Sequence, residues 1–383
     1  MSIYLDSHLA RMIVEKTMSV INFNVNIMDE FGIIIWSGDL ERIGQKHEGA
    51  LLVLSQERIV NIDENSLKTL KGVKPGINIP LWVENKIIGV LGLTGNPEQL
   101  HYYGALVAKI AEMIIEQARM QQFLEQNSRL REELALSLIR NRTYSSNIVD
   151  LSNTLDIDLN KRRLVIIGEV SSGQLGVTTA ISELKALLNH VEDLTKDDLI
   201  AIVSLTEIVI LKSIKHTESK REFYLLKNKY INLAKKINES LDIKIIFSIG
   251  NYIEGDGGLC ESYQTAKSTL KVGKRRLSED GCFSYFDLEF PVLVDALGSG
   301  WQGKRFLEPI QKIKEKDTNG TLYKTLIYWF SNNTSPTITS EKLYIHRNTL
   351  EYRLKRISEL TNLDLSNFED KLMLYISLQL DVS

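Results

Sequence analysis

TITSEKLYIHRNTLEYRLKRIS, residues 337–358, is the stretch from which the rest of the chain is best read. Its pattern predicts a short helix holding Leu343, a break at Ile345-His346 and a second helix from Arg347. On the second helix Leu350, Leu354 and Ile357 recur at i, i+4 and i+7 and share one apolar face. The opposite face presents Asn348, Tyr352, Lys355 and Arg356, with Thr349 on its flank. Arg347 lies in the first turn, where a recognition helix meets base edges. The chemistry suits DNA: Arg offers guanine two donors, Asn does the same for adenine, and Thr, Tyr and Lys hold phosphates. The same pattern also describes an amphipathic surface helix whose charges are merely solvated.

Charge sharpens this reading. The chain has 383 residues, 46 Lys+Arg and 49 Asp+Glu, for a net charge of −3. That excludes a polybasic coat protein or membrane binder, which need a large positive field. Between Thr339 and Ser358, however, five basic residues face two acidic ones, a local +3. So few phosphate-contacting charges per reader call for two readers, hence a homodimer. Hydrophobic content of 43% and charged content of 25% are ordinary for a globular protein. Cys260 and Cys282 lack the companions for a Cys-based zinc site; one disulfide between them is the alternative to the preferred reading, two isolated buried thiols in a reducing cytosol. The first 16 residues carry charges throughout and are no signal peptide. The most apolar stretch, 199–211, is interrupted by Ser204, Thr206 and Glu207, so no membrane span is expected. The reading is a cytoplasmic protein without a cofactor or a metal.

Upstream, residues 3–19 show an amphipathic helical pattern. FNVNIM and GIIIWSG read as a hairpin, and residues 72–95 as two strands turning at Glu84-Asn85. Asn96-Pro97-Glu98 then supplies an N-cap, a first-position proline and an early acid, opening a helical pattern that runs to about Ser145. It carries a heptad seam, Ile110, Met113, Gln117, Met120, Leu124, Asn127, Arg131, Leu134 and Leu138. This is either one dimerising helix or two helices packed on successive domains. RLVIIGEV and KIIFSIGNYI read as strands with LIAIVSLTEIVILKS as a hairpin between them. TTAISELKALLNHV and REFYLLKNKYINLAKKINESL read as helices, giving the order β-α-β-β-α-β. CESYQTAKSTLKVGKRRL reads as a further helix, SYFDLEF as a strand, and everything from Phe306 as helical.

YIHRNTLEYRLKRISELTNLDLSNFEDKLMLYISLQL closely resembles the PucR-type C-terminal helix-turn-helix, whose hallmarks stand here as His346, Arg347, Asn348, Thr349, Leu350, Tyr352, Arg353 and Leu354. The run is also similar to the recognition helix of the factor-for-inversion-stimulation class. The resemblance implies that His346 caps the helix, Arg347 and Asn348 approach bases, and Thr349 and Arg353 approach phosphates, with Tyr352 and Arg356 on the same surface. Family members have Thr-Gly before the Leu-Asp-Leu piece. Here it is Thr361-Asn362, and Asn also accepts left-handed geometry at a helix end.

The N-terminal half holds two glycine-studded loops, 41–50 and 72–80, which fit no catalytic template. His47-Glu48 lacks a second His at helical spacing, and the glycines of GVLGLTG are not a dinucleotide fingerprint. The loops do supply cations and approachable backbone amides suited to a small anion. Residues 5–117 resemble the sugar-diacid recognition domain of the carbohydrate diacid regulator family, through Arg42-Ile43-Gly44, His47-Glu48-Gly49-Ala50, Gly72 to Pro80, and Ile88-Gly89 to Gly95-Asn96-Pro97. The resemblance implies a PAS-like α/β sensor for a small hydroxy acid such as glucarate, galactarate or glycerate. Arg42, His47, Lys74, Gly76, Asn78 and Thr94 are the residues expected at the ligand. For each, a structural role as turn glycine, cap or solvated cation is the alternative.

The central β-α-β-β-α-β order resembles a degenerate GGDEF domain. The hairpin VSLTEIVIL (203–211) lacks the paired glycines and adjacent carboxylates that would hold nucleotide and metal, and Glu207 alone cannot replace them. No catalysis is expected. The expected architecture is multidomain α+β: a sensor over 1–118, a connecting helix over 119–145, a GGDEF-like domain over 146–290 and an all-α helix-turn-helix domain over 291–383. The function implied is a dimeric transcriptional regulator, of the activator type, binding double-stranded operator DNA. A nucleotide-binding cyclase-like receptor and a protein–protein scaffold that ignores DNA are the rival readings.

Overall fold

Alternation along residues 24–28 and 76–94 builds the first sheet. The computed structural model describes residues 5–171, 182–185, 187–188, 195–214, 220–241, 244–276, 281–298 and 300–381. The chain divides into two compact units that part between Ser128 and Arg129.

In the first unit, α1 (Ser7–Met18) starts at Asp6, whose carboxylate accepts from the Leu9 amide at 2.7 Å. Strands β1 (Asn24–Met28), β2 (Ile34–Ser37), β3 (Val60–Ile62), β4 (Gly76–Val83) and β5 (Lys86–Thr94) form an antiparallel sheet in the order β2-β1-β5-β4-β3. The expected turn between β4 and β5 is present. Glu84 and Asn85 both take left-handed φ, 49° and 60°, the geometry that suits the twist of a two-residue hairpin. Period-two alternation then sorts the side chains. Val25, Ile27, Ile77, Ile79, Leu91 and Leu93 pack with α1 and with Val107, Ala111, Ile114 and Ile115 of α3 (Pro97–Arg140). On the other face Met28, Ile34 and Val90 pack under Ala50 and Val53 of α2 (Glu48–Gln56).

Helix α3 ends at Arg140 rather than near Ser145, because Ser145 adopts extended geometry as the N-cap of α4 (Ser146–Thr154). Its heptad seam has two fates. Met113, Met120 and Leu124 are exposed, whereas Leu134 and Leu138 are fully buried in the core of the second unit.

The second unit holds β6 (Arg163–Ser171), β7 (Leu199–Ser204), β8 (Glu207–Ser213), α5 (Lys220–Leu241), β9 (Lys244–Ile249), α6 (Gly258–Arg276) and β10 (Cys282–Ser284). Its sheet runs β10-β9-β6-β8-β7, with β9 and β10 parallel and the other pairs antiparallel. The continuous apolar run of β6 is explained by burial on both sides: Val165 and Ile167 enter one core, Leu164 and Ile166 the other. Of the helix expected over 178–191, residues 182–185 and 187–188 are helical and bury Leu184 and Leu188, while the remainder lies outside the described residues.

The strand expected at SYFDLEF is corrected. Only Cys282–Ser284 is extended, and Tyr285 begins α7 (Tyr285–Leu297). Tyr285, Leu288 and Val292 bury on one helical face, and the backbone kinks at Leu288 ahead of Pro291, whose ring crowds the preceding turn. Helices α8 (Gly300–Lys316), α9 (Thr321–Ser331), α10 (Pro336–Leu343), α11 (Arg347–Thr361) and α12 (Phe368–Asp381) follow. They surround Ile310, Ile313, Leu326, Ile357, Leu374 and Leu378. Among the described residues no helix is long and apolar enough to cross a membrane.

Asp198 closes the β7–β8 edge. Its carboxylate accepts from the Thr195 amide at 2.9 Å, the Ser213 amide at 2.6 Å, the Ser213 hydroxyl at 2.7 Å and Lys212 Nζ at 2.6 Å. Burial pushes this carboxyl up, but Lys212 and the Ser213 and Thr195 donors outweigh it and hold the group below its ordinary value. A depressed carboxyl contributes stability above the ordinary carboxylate range and loses it as pH falls through the folded-state pKa. Asp198→Asn should therefore cost about 3 kcal/mol at pH 7 in urea unfolding, and the gap to wild type should shrink only below about pH 4.

Candidate functional site

Cross-strand register assembles the first candidate site. Ser37 of β2 lies opposite Asn26 of β1, Asn26 opposite Gly92 of β5, and Gly92 opposite Asn78 of β4. Partners opposite one another share a face, so these four residues form one polar row on the α2 side of the sheet. Gly76 and Thr94, paired with each other, lie two residues further along the same face. Asn26, Ser37 and Asn78 are all at least 97% buried. A Cβ on Gly92 would sit 3.0 Å from Asn78 Oδ1 and 3.5 Å from Asn26 Nδ2, so the glycine leaves the space between the two amides open.

Arg42 and His47 come to this row from the connecting segments. Arg42 is buried in a short 3-10 turn (Leu40–Arg42), where Nη2 donates to the Gly72 carbonyl at 2.7 Å. Its Nη1 is buried with no hydrogen-bond partner. His47 is the N-cap of α2 and is 3% exposed; its Nδ1 accepts from the Ala50 amide at 3.1 Å. That bond assigns the ring proton to Nε2. A Cβ on Gly49 would lie 2.9 Å from both Asn78 Nδ2 and His47 Cε1, so Gly49 is the point where the histidine and the row meet.

Hydrogen-bond accounting shows what the cluster lacks. Asn26 Oδ1 accepts from Ser37 Oγ at 2.6 Å and from Asn24 Nδ2 at 3.1 Å, which leaves Asn26 Nδ2 as a donor. Among the described residues, Asn26 Nδ2, His47 Nε2, Arg42 Nη1 and the Asn78 amide have no protein acceptor. Buried donors without acceptors are costly, and such a surplus is matched by a ligand rich in oxygen acceptors and negative charge.

The remaining expected residues have different placements. Lys74 is half-exposed and paired with Asp39 at 2.9 Å, on the rim. Gly76 has a backbone role, since a Cβ there would lie 1.9 Å from the Leu93 carbonyl oxygen. Thr94 is half-buried at the end of β5. Asn26 and Ser37 are outside the set that the sequence singles out. Their signal is parity, legible only once β1, β2 and β5 are in register.

The second candidate site is α10–α11. Tyr344 ends α10 with φ 54°, and His346 caps α11, its Nδ1 accepting from the Asn348 amide at 3.3 Å. Leu350 and Ile357 are fully buried beneath, and Asn362 closes the helix in left-handed geometry as its sequence allows. His346, Arg347, Asn348, Thr349, Tyr352, Lys355 and Arg356 are all exposed. Arg347 pairs with Glu351 at 3.0 Å and Arg356 with Glu359 at 2.9 Å. Arg353 is instead half-buried and donates to Thr325 Oγ1 of α9 at 3.3 Å, which ties the helix to its support.

In the middle of the chain, Glu207 accepts a hydrogen bond from Tyr263 Oη at 2.5 Å. Burial, with Glu207 adding to it, pushes the Tyr263 phenol well above its ordinary value.

Residues 5–138 match the family described as sugar diacid recognition, 140–272 a GGDEF-like domain, and 322–380 the PucR C-terminal helix-turn-helix domain. The chain is 48% identical to the carbohydrate diacid regulator of Escherichia coli (strain K12), over 99% of this chain and 98% of that protein. It is 33% identical to an uncharacterized protein of Haemophilus influenzae, over 98% and 99% of the two chains. It is 29% identical to the DNA-binding transcriptional activator AdeR of Bacillus subtilis, over 48% of this chain and 44% of that one.

Burial, and then the positive charge of Arg42, lower His47 from 6.5 to about 4. A histidine lowered on folding loses stability as pH falls, because the unfolded chain takes up the proton first. NMR titration of the full chain should place His47 near pH 4. His47→Gln should remove roughly 3 kcal/mol of acid destabilisation between the unfolded and folded pKa values.

Proposed function

The chain belongs to the carbohydrate diacid regulator family, and on that premise we propose that it is a dimeric transcriptional activator whose N-terminal unit binds a small hydroxy acid. The buried donor surplus carries the sensor half of this reading. Arg42 Nη1 anchors one carboxylate, His47 donates from Nε2 as a neutral imidazole, and the Asn26 and Asn78 amides take hydroxyl or carboxylate oxygens. Gly92 gives the ligand backbone room between them. Thr94 lies at the end of the row and Lys74 guards the rim, while Gly76 keeps β4 and β5 close enough for the row to form. The strand order β2-β1-β5-β4-β3 supports a PAS-like sensor.

For DNA, the exposed face of α11 supports readout by Arg347 and Asn348, with His346, Thr349, Tyr352, Lys355 and Arg356 around the phosphates. Arg353, held by Thr325, reaches DNA only at the edge of that face. Exposure of Met113, Met120 and Leu124 on the α3 seam supports pairing with a second copy. Two identical readers then meet two half-sites. Engagement of Glu207 by Tyr263 supports a structural rather than catalytic middle domain.

The sensor half is tested by thermal unfolding with glucarate, galactarate and glycerate. At least one should raise the Tm of wild type, and Arg42→Ala should abolish that rise. A rise retained in Arg42→Ala removes this residue from the site.

The DNA half is tested by anisotropy on the protein's own promoter fragment across a salt series. Arg347→Ala and Asn348→Ala should each weaken specific binding by about 1–3 kcal/mol, and Lys355→Ala should lower the salt slope by about 1. A scaffold that ignores DNA predicts no change in any of the three.

A further inference from the structure

The second unit contains a cleft of about 440 Å3 between the first turns of α5 and the junction of β10 with α7. That volume is in the range of small-molecule sites. It is separate from the β7–β8 hairpin, where a cyclase of this topology would hold nucleotide. Phe223 and Phe286 form one wall, their rings tilted with centroids 3.7 Å apart. Tyr224 stands beside them and is 64% exposed. The lining also includes an ion pair, Lys227 Nζ to Asp287 Oδ2 at 2.9 Å, which contributes no net charge. Arg221 is exposed at the cleft and makes no ion pair among the described residues.

Ser284 is the informative member. It lines the cleft, is only 3% exposed, and occupies the N-cap position of α7 without its hydroxyl capping any amide. Its side chain makes no hydrogen bond among the described residues. A nearly buried hydroxyl with no partner, facing a cavity beside an unpaired guanidinium, is a polar arrangement that calls for an acceptor. Phe286 and Tyr224, unlike the core residue Phe223, offer ring surface that burial has not used up.

We propose that this cleft binds a small molecule in which a flat ring carries an acidic group. The ring lies against Phe286 and Tyr224, and the acidic oxygens accept from Ser284 Oγ and Arg221. Phosphate and carboxylate share this chemistry, so a nucleoside monophosphate and an aryl carboxylate are the two sources to separate.

Calorimetric titration of the full-length protein with adenosine monophosphate, guanosine monophosphate and 4-hydroxybenzoate tests the site, with adenosine and inorganic phosphate as controls. At least one ring-bearing anion should saturate the protein, and the one that does identifies the source. Arg221→Ala and Ser284→Ala should each weaken it by roughly tenfold, the loss expected for a hydrogen bond to a charged group. Unchanged melting temperatures in both variants separate lost binding from lost fold. Failure of all three ligands to saturate by about 10 mM, a Kd worth under 3 kcal/mol, overturns the site. So does undiminished binding in both variants, or equal displacement by adenosine or phosphate alone.

Discussion

Four donors on buried side chains lack protein acceptors, and they are the constraint around which the first unit is arranged. Asn26 and Asn78 sit where a sheet of this kind would normally place aliphatic side chains, since the same face is aliphatic at Met28, Ile34 and Val90, and Arg42 and His47 join them from the connecting segments. Such a cluster lowers stability unless something fills it. The protein holds three of the four by a second bond that leaves a hydrogen unused. Gly72 holds Arg42, the Ala50 amide holds His47, and Ser37 with Asn24 holds Asn26. This is preorganisation: orientation is fixed before any ligand arrives, which reduces the ordering cost of binding.

Helix α3 shows the opposite arrangement, apolar side chains left in water. Its Val107, Ala111, Ile114 and Ile115 face is consumed by the sheet, so Met113, Met120 and Leu124 point elsewhere. A 3.5-residue repeat on a single helix is self-complementary, so in the proposed dimer a second copy would cover it with the same residues. The recognition helix adds an electrostatic reason for pairing. Its exposed arginines are held by intrahelical acids in pairs worth only a few tenths of a kcal/mol, which phosphate or guanine readily displaces.

What the sequence reveals divides by range. The β4–β5 hairpin, the helix-turn-helix break at Ile345-His346 and the left-handed closure at Asn362 are local, each decided by a few adjacent residues. The row Ser37–Asn26–Gly92–Asn78 is not local, because it exists only when four strands adopt one register, and a one-residue slip would send Asn26 to the other face. Asn78 is visible through its glycine-rich neighbourhood, but Asn26 and Ser37 resemble ordinary strand polar residues. The segment 284–290 misleads for a related reason. Tyr285, Phe286, Leu288 and Phe290 satisfy strand and kinked helix alike, and tertiary burial of Tyr285, Leu288 and Val292 decides in favour of the helix.

Strand parity also gives the proposed ligand a route to α3 that needs no long-range network. Asn78 lies between Ile77 and Ile79, whose side chains point through to the opposite face. There they meet α3 where a Cβ on Gly104 would sit only 2.4 Å and 2.7 Å from their Cδ1 atoms. The glycine lets strand and helix approach this closely, so small shifts of β4 act directly on the helix backbone rather than on a compressible side chain. An acid that draws the Asn78 amide towards Arg42 and His47 pulls on its two neighbours, Ile77 and Ile79, which seat α3. Its effect on the helix is bounded by the difference in its affinity for the two positions of that strand. The absence of a side chain at residue 104 thus makes the thickness of a single sheet the whole distance between the proposed effector and the helix that carries the exposed Met113, Met120 and Leu124.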